Sequence, residues 1–427
     1  MLNSRFLVIA AMIFACSAAA QQPSTAPPAF SLKDGDRVVF YGDSITEQML
    51  YTSDIEDFVL TRYPQSRISF THSGVGGDKV SGGWTGPIDL RLERDLFTYQ
   101  PTVVTIMLGM NDGYYRAYDP GIFKTYADGY RQMVETIQSK LPAVRLTLLL
   151  PSAYDDVTRD PKFEGGYNGV LRRFGDFITQ LSVEKHAATA DLNTPLVAAL
   201  TKAKAMDAPF STTLIADRVH PSAAIHWLMA ESVLKAWGAS PVVSLVVIDA
   251  SKPTITDSSN TRVVELHKDK ASKTLSWLQS DNALPLPLAT SDSDPFLDLA
   301  LRSSDLIEAL DQEILRVSGI APGSYELSID DQAVGKFSSE QLLSGVNLAV
   351  LETPMRAQAR LVALDTQDKN EIDRTRFALI RDSMDSVSQQ ASAELSSAHD
   401  RAVEQQHKDA QPVPRRYRLM PVVTSQR

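Results

Sequence analysis

The run Val103-Val104-Thr105-Ile106-Met107-Leu108 is the strongest constraint on how this chain folds. It follows a proline, is rich in β-branched side chains and has almost no polar face, so it reads as a strand buried on both sides. Such a strand needs cover above and below, and its neighbours supply it. Val38–Tyr41 is a second continuous apolar run, Ile68–His72 and Arg145–Leu150 are further short strands, and Ala187–Leu192 is a weaker one. Between them lie stretches of helical character: Glu47–Arg62, ending before Pro64, then Ile122–Lys140, Tyr167–Glu184 and Pro195–Met206. A last helix follows His220, with Ser222 as its N-cap, Ile225, Leu228, Met229, Ala236 and Trp237 at helical spacing, and Gly238 at its end. Strand and helix alternate five times, which predicts an α/β layer fold around a parallel sheet with right-handed crossovers.

Pro241 marks a change of character. Beyond it Val242–Ile248, Arg262–Leu266 and Tyr325–Ile329 read as strands, Asp330-Asp331 as a turn before Val334–Phe337, and Asp298–Val317 as a helix. From Met355 to about Gln406 the composition favours one or two long helices, and the basic, Pro-containing end reads as mobile. A chain of 427 residues suits roughly two to three units. The expected division is 1–20 signal peptide, 21–35 linker, 36–240 α/β domain, 241–380 accessory mixed β/helical region and 381–427 helical or mobile tail.

The first residues carry their own pattern. Arg5 precedes the apolar run Phe6–Ala15, and Ala18-Ala19-Ala20 precedes Gln21-Gln22, the order of a secretory signal cleaved after about Ala20. A secreted or periplasmic location is the expectation, and no later segment is long and apolar enough to span a bilayer. The single cysteine, Cys16, allows a lipoprotein reading as the alternative, although Phe14 fits a lipobox poorly. A net charge of −10 argues against a nucleic-acid partner, which requires a concentrated Lys/Arg surface.

Four short blocks, each at the end of an expected strand, carry groups suited to acyl transfer. Ser44, in Gly42-Asp43-Ser44-Ile45-Thr46, lies between a buried strand and a helix start, where open α/β sheets bind ligands. His220 follows Asp217 by three residues, close enough for a carboxylate to hold the imidazole within one tight turn. Asn111, in Gly109-Met110-Asn111-Asp112, can offer an amide NH2 to a developing oxyanion, and Gly77, in Gly74-Val75-Gly76-Gly77-Asp78, a backbone N–H. Each block also has a plainer reading as a helix cap or a turn. No HExxH, CxxC or P-loop pattern appears. Trp84, Tyr114, Tyr115 and Tyr118 are candidates to line a cleft, whereas His72 and His226 read as packing or surface histidines.

Together, GDSIT (Gly42–Thr46), GVGGDK (Gly74–Lys79), GMND (Gly109–Asp112) and DRVHP (Asp217–Pro221) resemble the four blocks of the SGNH, or GDSL-like, hydrolases. The resemblance covers about Asp36 to Gly238. It implies a flavodoxin-like three-layer α/β/α domain and no metal or organic cofactor. It implies Ser44 as nucleophile, His220 as base, Asp217 as its orienter, and Gly77 and Asn111 joining the Ser44 N–H in the oxyanion hole. Ile45 stands where the family motif has Leu, and Lys79 where Thr is frequent; neither carries the chemistry. The expected function is a secreted serine esterase whose substrate is a small-molecule or polysaccharide ester, with O-acetylated carbohydrate favoured over a short-chain lipid ester. Two other classes stay open from sequence alone: an acyltransferase using the same triad, and a glycan-binding protein with a vestigial site. The sequence leaves the oligomeric state and the role of the C-terminal half open.

Overall fold

The structure, a computed structural model, describes residues 30–289, 294–382 and 386–422. The expected signal peptide, Cys16 and most of the linker therefore lie outside the described residues.

The first layer is built from β1 (Arg37–Gly42), β2 (Ser69–Gly74), β3 (Val103–Met107), β4 (Arg145–Leu150) and β5 (Ala188–Asp191), ordered β2-β1-β3-β4-β5 with every neighbouring pair parallel. All five residues of β3 are buried, as its unbroken apolar sequence requires. This is the flavodoxin-like order, and it turns around between β1 and β3. The crossover from β1 to β2 runs one way and those from β3 to β4 and β5 run the other. Right-handed connections therefore put helix Leu50–Arg62 on one face and helices Pro120–Lys140 and Gly166–Glu184 on the opposite face. Helix Ala223–Ala236 packs beside Leu50–Arg62. The result is the expected three-layer α/β/α domain.

Local chemistry sets the ends of these elements. Asp119 caps Pro120–Lys140, its Oδ1 accepting from the Gly121 and Ile122 amides at 2.8 and 3.1 Å, with Pro120 pre-shaped for the first turn. The stretch expected as one helix from Glu47 is two, Ser44–Glu47 and Leu50–Arg62, because Met49 takes a left-handed φ of 57°. Helix Ile88–Asp95 was not foreseen from the sequence.

The C-terminal region adds β6 (Val242–Asp249), β7 (Thr254–Ser259), β8 (Thr261–Lys268), β9 (Leu275–Asp281), β10 (Gln312–Ser318), β11 (Ser324–Ile329), β12 (Gln332–Ser338) and β13 (Arg415–Pro421). One sheet runs β8-β9-β13-β11-β12; a second runs from the short strand Val346–Asn347 through β10 and β6 to β7. Their shared core includes Trp277 stacked on Tyr417 at 5.1 Å, with Leu327, Ile329 and Leu419. Two expectations are corrected here. The helix expected over Asp298–Val317 is two short helices, Leu297–Ser303 and Leu306–Leu310, broken where Ser304 takes an extended conformation, and its last part is β10, which pairs in parallel with β6. The C-terminal end, expected to be mobile, supplies β13, which lies between two strands rather than at an edge.

This region packs closely on the first domain, with Arg62 reaching Asp311 and the Leu310 carbonyl among other contacts. Leu286, Leu288, Leu297, Leu306 and Leu310 join the core of the first domain, not that of the second. The antiparallel pair Pro354–Asp382 and Ser386–Asp409 lies against helix Leu50–Arg62. Among the described residues no helix is long and apolar enough to cross a membrane.

Candidate active site

The four sequence blocks meet at the carboxyl ends of β1, β2 and β3, where the strand order turns around. Gly42 ends β1, and a Cβ there would stand 2.9 Å from the Met107 carbonyl and closer still to Thr46, so the sharp turn into the next helix requires glycine. Asp43 is the N-cap: its Oδ1 accepts from the Ile45 amide at 3.1 Å. Burial raises the Asp43 carboxyl to about 7, with Asp112 and Asp78 pushing the same way. The capping role thus falls to Asp43, which leaves the half-buried Ser44 hydroxyl for another partner.

That partner is His220, 176 residues away, whose Nε2 lies 2.8 Å from Ser44 Oγ. Its Nδ1 lies 2.6 Å from Asp217 Oδ2, so the ring donates Nδ1–H to the carboxylate and offers Nε2 as the acceptor for the serine proton. The other carboxylate oxygen, Oδ1, accepts from the backbone amides of Val219 and His220 at 2.9 and 2.8 Å. Partial burial works against the Asp217 charge, but the hydrogen bonds from His220 and from these amides outweigh it and lower the pKa.

The Asp217–His220 turn is pinned from outside. Arg218 adopts φ 73°, and its guanidinium donates to the Asp155 and Asp160 carbonyls at 3.1 and 2.9 Å and approaches Asp156 Oδ1 at 3.3 Å. The Asp155 amide in turn donates to the Arg218 carbonyl at 2.9 Å. The loop after β4 thereby fixes the turn that carries the imidazole.

On the other side of Ser44, the Gly76-Gly77 turn passes close to the serine. A Cβ on Gly76 would lie 3.9 Å from Ser44 Cβ and 2.9 Å from Glu47 Oε2, and Gly77 has φ 75°. Asn111 is tied to this turn, since its Nδ2 donates to the Asp78 carbonyl at 3.1 Å. The Tyr115 hydroxyl donates to Asn111 Oδ1 at 2.8 Å, which fixes the orientation of the amide and leaves one Nδ2–H for a ligand. Beneath the turn, Arg91 is fully buried, with Nε 2.6 Å from Asp78 Oδ2 and a second contact to Asp95. Trp84 Nε1 donates to the Gly76 carbonyl at 2.8 Å, and its ring is two-thirds exposed. Ser44, Asp217 and His220 therefore form one hydrogen-bonded chain, with Gly77 and Asn111 joined to each other through Asp78 alongside it. Among the described residues no group of three or more His, Cys, Asp or Glu is placed to hold a metal ion.

A serine held by an imidazole that is itself held by a carboxylate can become a nucleophile at neutral pH. Residues 40–228 match the model of the GDSL-like Lipase/Acylhydrolase family. This chain carries a GDSL-like lipase/acylhydrolase domain. An acetylxylan esterase of Geobacillus stearothermophilus is 25% identical to the chain over 226 residues, which are 48% of this chain and 94% of that protein. A solved structure of a gut microbial diltiazem-metabolizing enzyme superposes with a TM-score of 0.80 at 26% identity. It covers 93% of this chain and 99% of its own, so the likeness extends through the C-terminal region as well. The family match and the acetylxylan esterase relative support an ester-hydrolysing enzyme.

Several residues of the GDSL-like domain that support the site were not picked out from the sequence: Arg218, Tyr115 in its role on Asn111, and the buried Arg91. The two histidines read as packing or surface residues are both buried. His226 Nδ1 accepts from the Tyr51 amide at 3.1 Å, and burial lowers its pKa to about 3, so it stays neutral. His72 faces Glu56 at 3.2 Å.

Proposed function

We propose that the enzyme is a serine esterase that releases acyl groups, acetyl in the first place, from hydroxylated carbohydrate. The Ser44–His220–Asp217 chain carries this reading. Ser44 Oγ attacks the ester carbonyl as its proton passes to His220 Nε2, while Asp217 stabilises the imidazolium that results. The oxyanion receives the free Nδ2–H of Asn111 and the backbone amides of Gly77 and Ser44. The intermediate collapses, the alcohol leaves with the proton from His220, and water repeats the sequence on the acyl-serine.

The preference for carbohydrate has two supports. The acetylxylan esterase relative acts on a substrate of that class. The exposed rings of Trp84, beside Gly77, and of Tyr114 and Tyr115, beyond Asn111, offer flat faces next to the acyl site. Export of the mature chain belongs to the same reading and rests on the order of residues 5–22.

The test is release of p-nitrophenol from acetyl through octanoyl esters by wild type and Ser44→Ala. A fall to background in Ser44→Ala, roughly a 10⁴-fold loss or more, is the expected result. Equal rates for the two proteins would remove Ser44 from the mechanism.

A further inference from the structure

A cavity of about 350 Å³ lies between the turn that follows Ser44 and the C-terminal region. Glu47, Gln48 and Met49 of the turn after Ser44 form one side, and His72 and Gly74 at the end of β2 form the floor. Arg374 and Phe377 of helix Pro354–Asp382 close the third side. The connection to Ser44 is short. Glu47 is the last residue of the four-residue helix that Ser44 begins, and its carboxylate and the Ser44 Cβ flank the same glycine, Gly76.

The chemistry of the lining selects a ligand. Glu47 presents acceptors, Arg374 presents donors, and Phe377 presents a ring. Arg374 is half exposed and held within the protein by Glu371 at 2.6 Å, an exposed pair of small net strength whose remaining N–H groups are available to a ligand. His72 adds a buried acceptor: its Nε2 is engaged by Glu56, and Nδ1 has no hydrogen-bond partner. Met49, Ala378 and the Phe377 ring give the lining an apolar part beside this carboxylate and guanidinium, so the cavity suits a ligand that carries both hydroxyls and C–H faces. A polyhydroxylated ring answers each group, donating hydroxyls to Glu47, accepting from Arg374 and laying its C–H face on Phe377.

We propose that this cavity is the subsite for the sugar ring that bears the ester, and that the C-terminal helix pair is a specificity element of the enzyme. The proposal rests on the esterase reading, so its test must separate the two. The full chain is assayed as wild type, Arg374→Ala and Phe377→Ala on a monoacetylated methyl xyloside and on p-nitrophenyl acetate. The quantity read is the ratio of the two kcat/KM values. A fall in that ratio of about fivefold or more in both variants, carried by KM on the sugar ester, is expected. A smaller change in either variant overturns the subsite.

If the wild type turns over neither ester, the esterase reading fails, and the subsite is then judged by binding alone. Calorimetry with methyl xyloside on the Ser44→Ala protein should show binding that Arg374→Ala weakens about fivefold or more on the same background. Absence of binding, or binding that Arg374→Ala leaves unaltered, overturns it.

Discussion

Lys369 Nζ sits 2.7 and 2.8 Å from the two carboxylate oxygens of Glu56, 313 residues earlier, with both side chains almost wholly buried. Glu56 also receives Gln406 at 3.1 Å and faces His72, so a single carboxylate gathers both C-terminal helices onto the hydrolase domain. Burial alone would raise the Glu56 pKa, but Lys369 and His72 pull it down to about 2. Breaking such a pair strands a charge in the interior. Lys369→Met should lower stability to denaturant by about 3–5 kcal/mol, and adding Glu56→Gln should recover part of that loss. A chevron or equilibrium titration of the three proteins checks both.

Asn111 and Tyr115 are expected to separate in kinetics. Asn111→Ala removes the proposed oxyanion donor and should cost about 10²–10³ in kcat with little change in KM. Tyr115→Phe keeps the amide but releases its orientation, and the loss should stay near tenfold. Steady-state rates on p-nitrophenyl acetate decide whether the two effects rank this way.

Arg218→Gly isolates the pinning of the base. Glycine accepts the φ of 73° without strain, so the turn and its backbone bond from the Asp155 amide are preserved while the guanidinium contacts to Asp155, Asp156 and Asp160 are lost. The expected result is a drop of about tenfold in kcat. A variant as fast as wild type would show that the turn holds His220 unaided.

Asp57 adds a pH dependence to the domain contact. Burial pushes its carboxyl up to about 8 from an ordinary 3.8, against the opposing hydrogen bond from Thr366. A carboxyl whose folded pKa is raised contributes stability that is complete below about 3.8 and is lost as pH rises through about 8. Asp57→Asn keeps an acceptor for Thr366 without the charge. It should raise the melting temperature by roughly 5 °C at pH 8 and scarcely at all at pH 4. Melting curves across that range should converge at the acid end.

The sequence announced the first domain more fully than the second, for physical reasons. β1, β3 and β4 are buried on both faces and so show as largely apolar runs, and Ser44 and Asn111 follow the ends of β1 and β3, whereas Asp217 and His220 lie in a loop between two helices. Ser44, His220 and Asp217 were legible as candidates because each block sets a reactive side chain in a turn, and the structure brings the three within hydrogen-bond distance. The support from Arg218 was not legible, since it acts through the Asp155–Asp160 loop, far away in sequence; Arg91 was missed because only burial marks its local pairing with Asp78 and Asp95 as part of the site's footing. β10 was hidden because Leu306–Leu315 alternates apolar and helix-favouring residues at helical spacing, and only pairing with β6 makes Gln312–Ser318 a strand. β13 was hidden by its arginines. Yet Tyr417 and Leu419 are buried while Arg416 and Arg418 point outward, the alternation of a half-buried strand.

β13 also bears on the order in which the molecule can assemble. Every strand of the α/β domain lies within residues 37–191, and that sheet can close while the rest of the chain is still being synthesised. The sheet β8-β9-β13-β11-β12 cannot, because the strand that joins its two hairpins is made more than 70 residues after both. Until Arg415–Pro421 emerges, β9 and β11 each present an unpaired backbone edge, the kind of surface that recruits other chains. A ribosome-bound chain of this protein thus passes through a stage in which a finished hydrolase domain is tethered to an open, adhesive half-sheet.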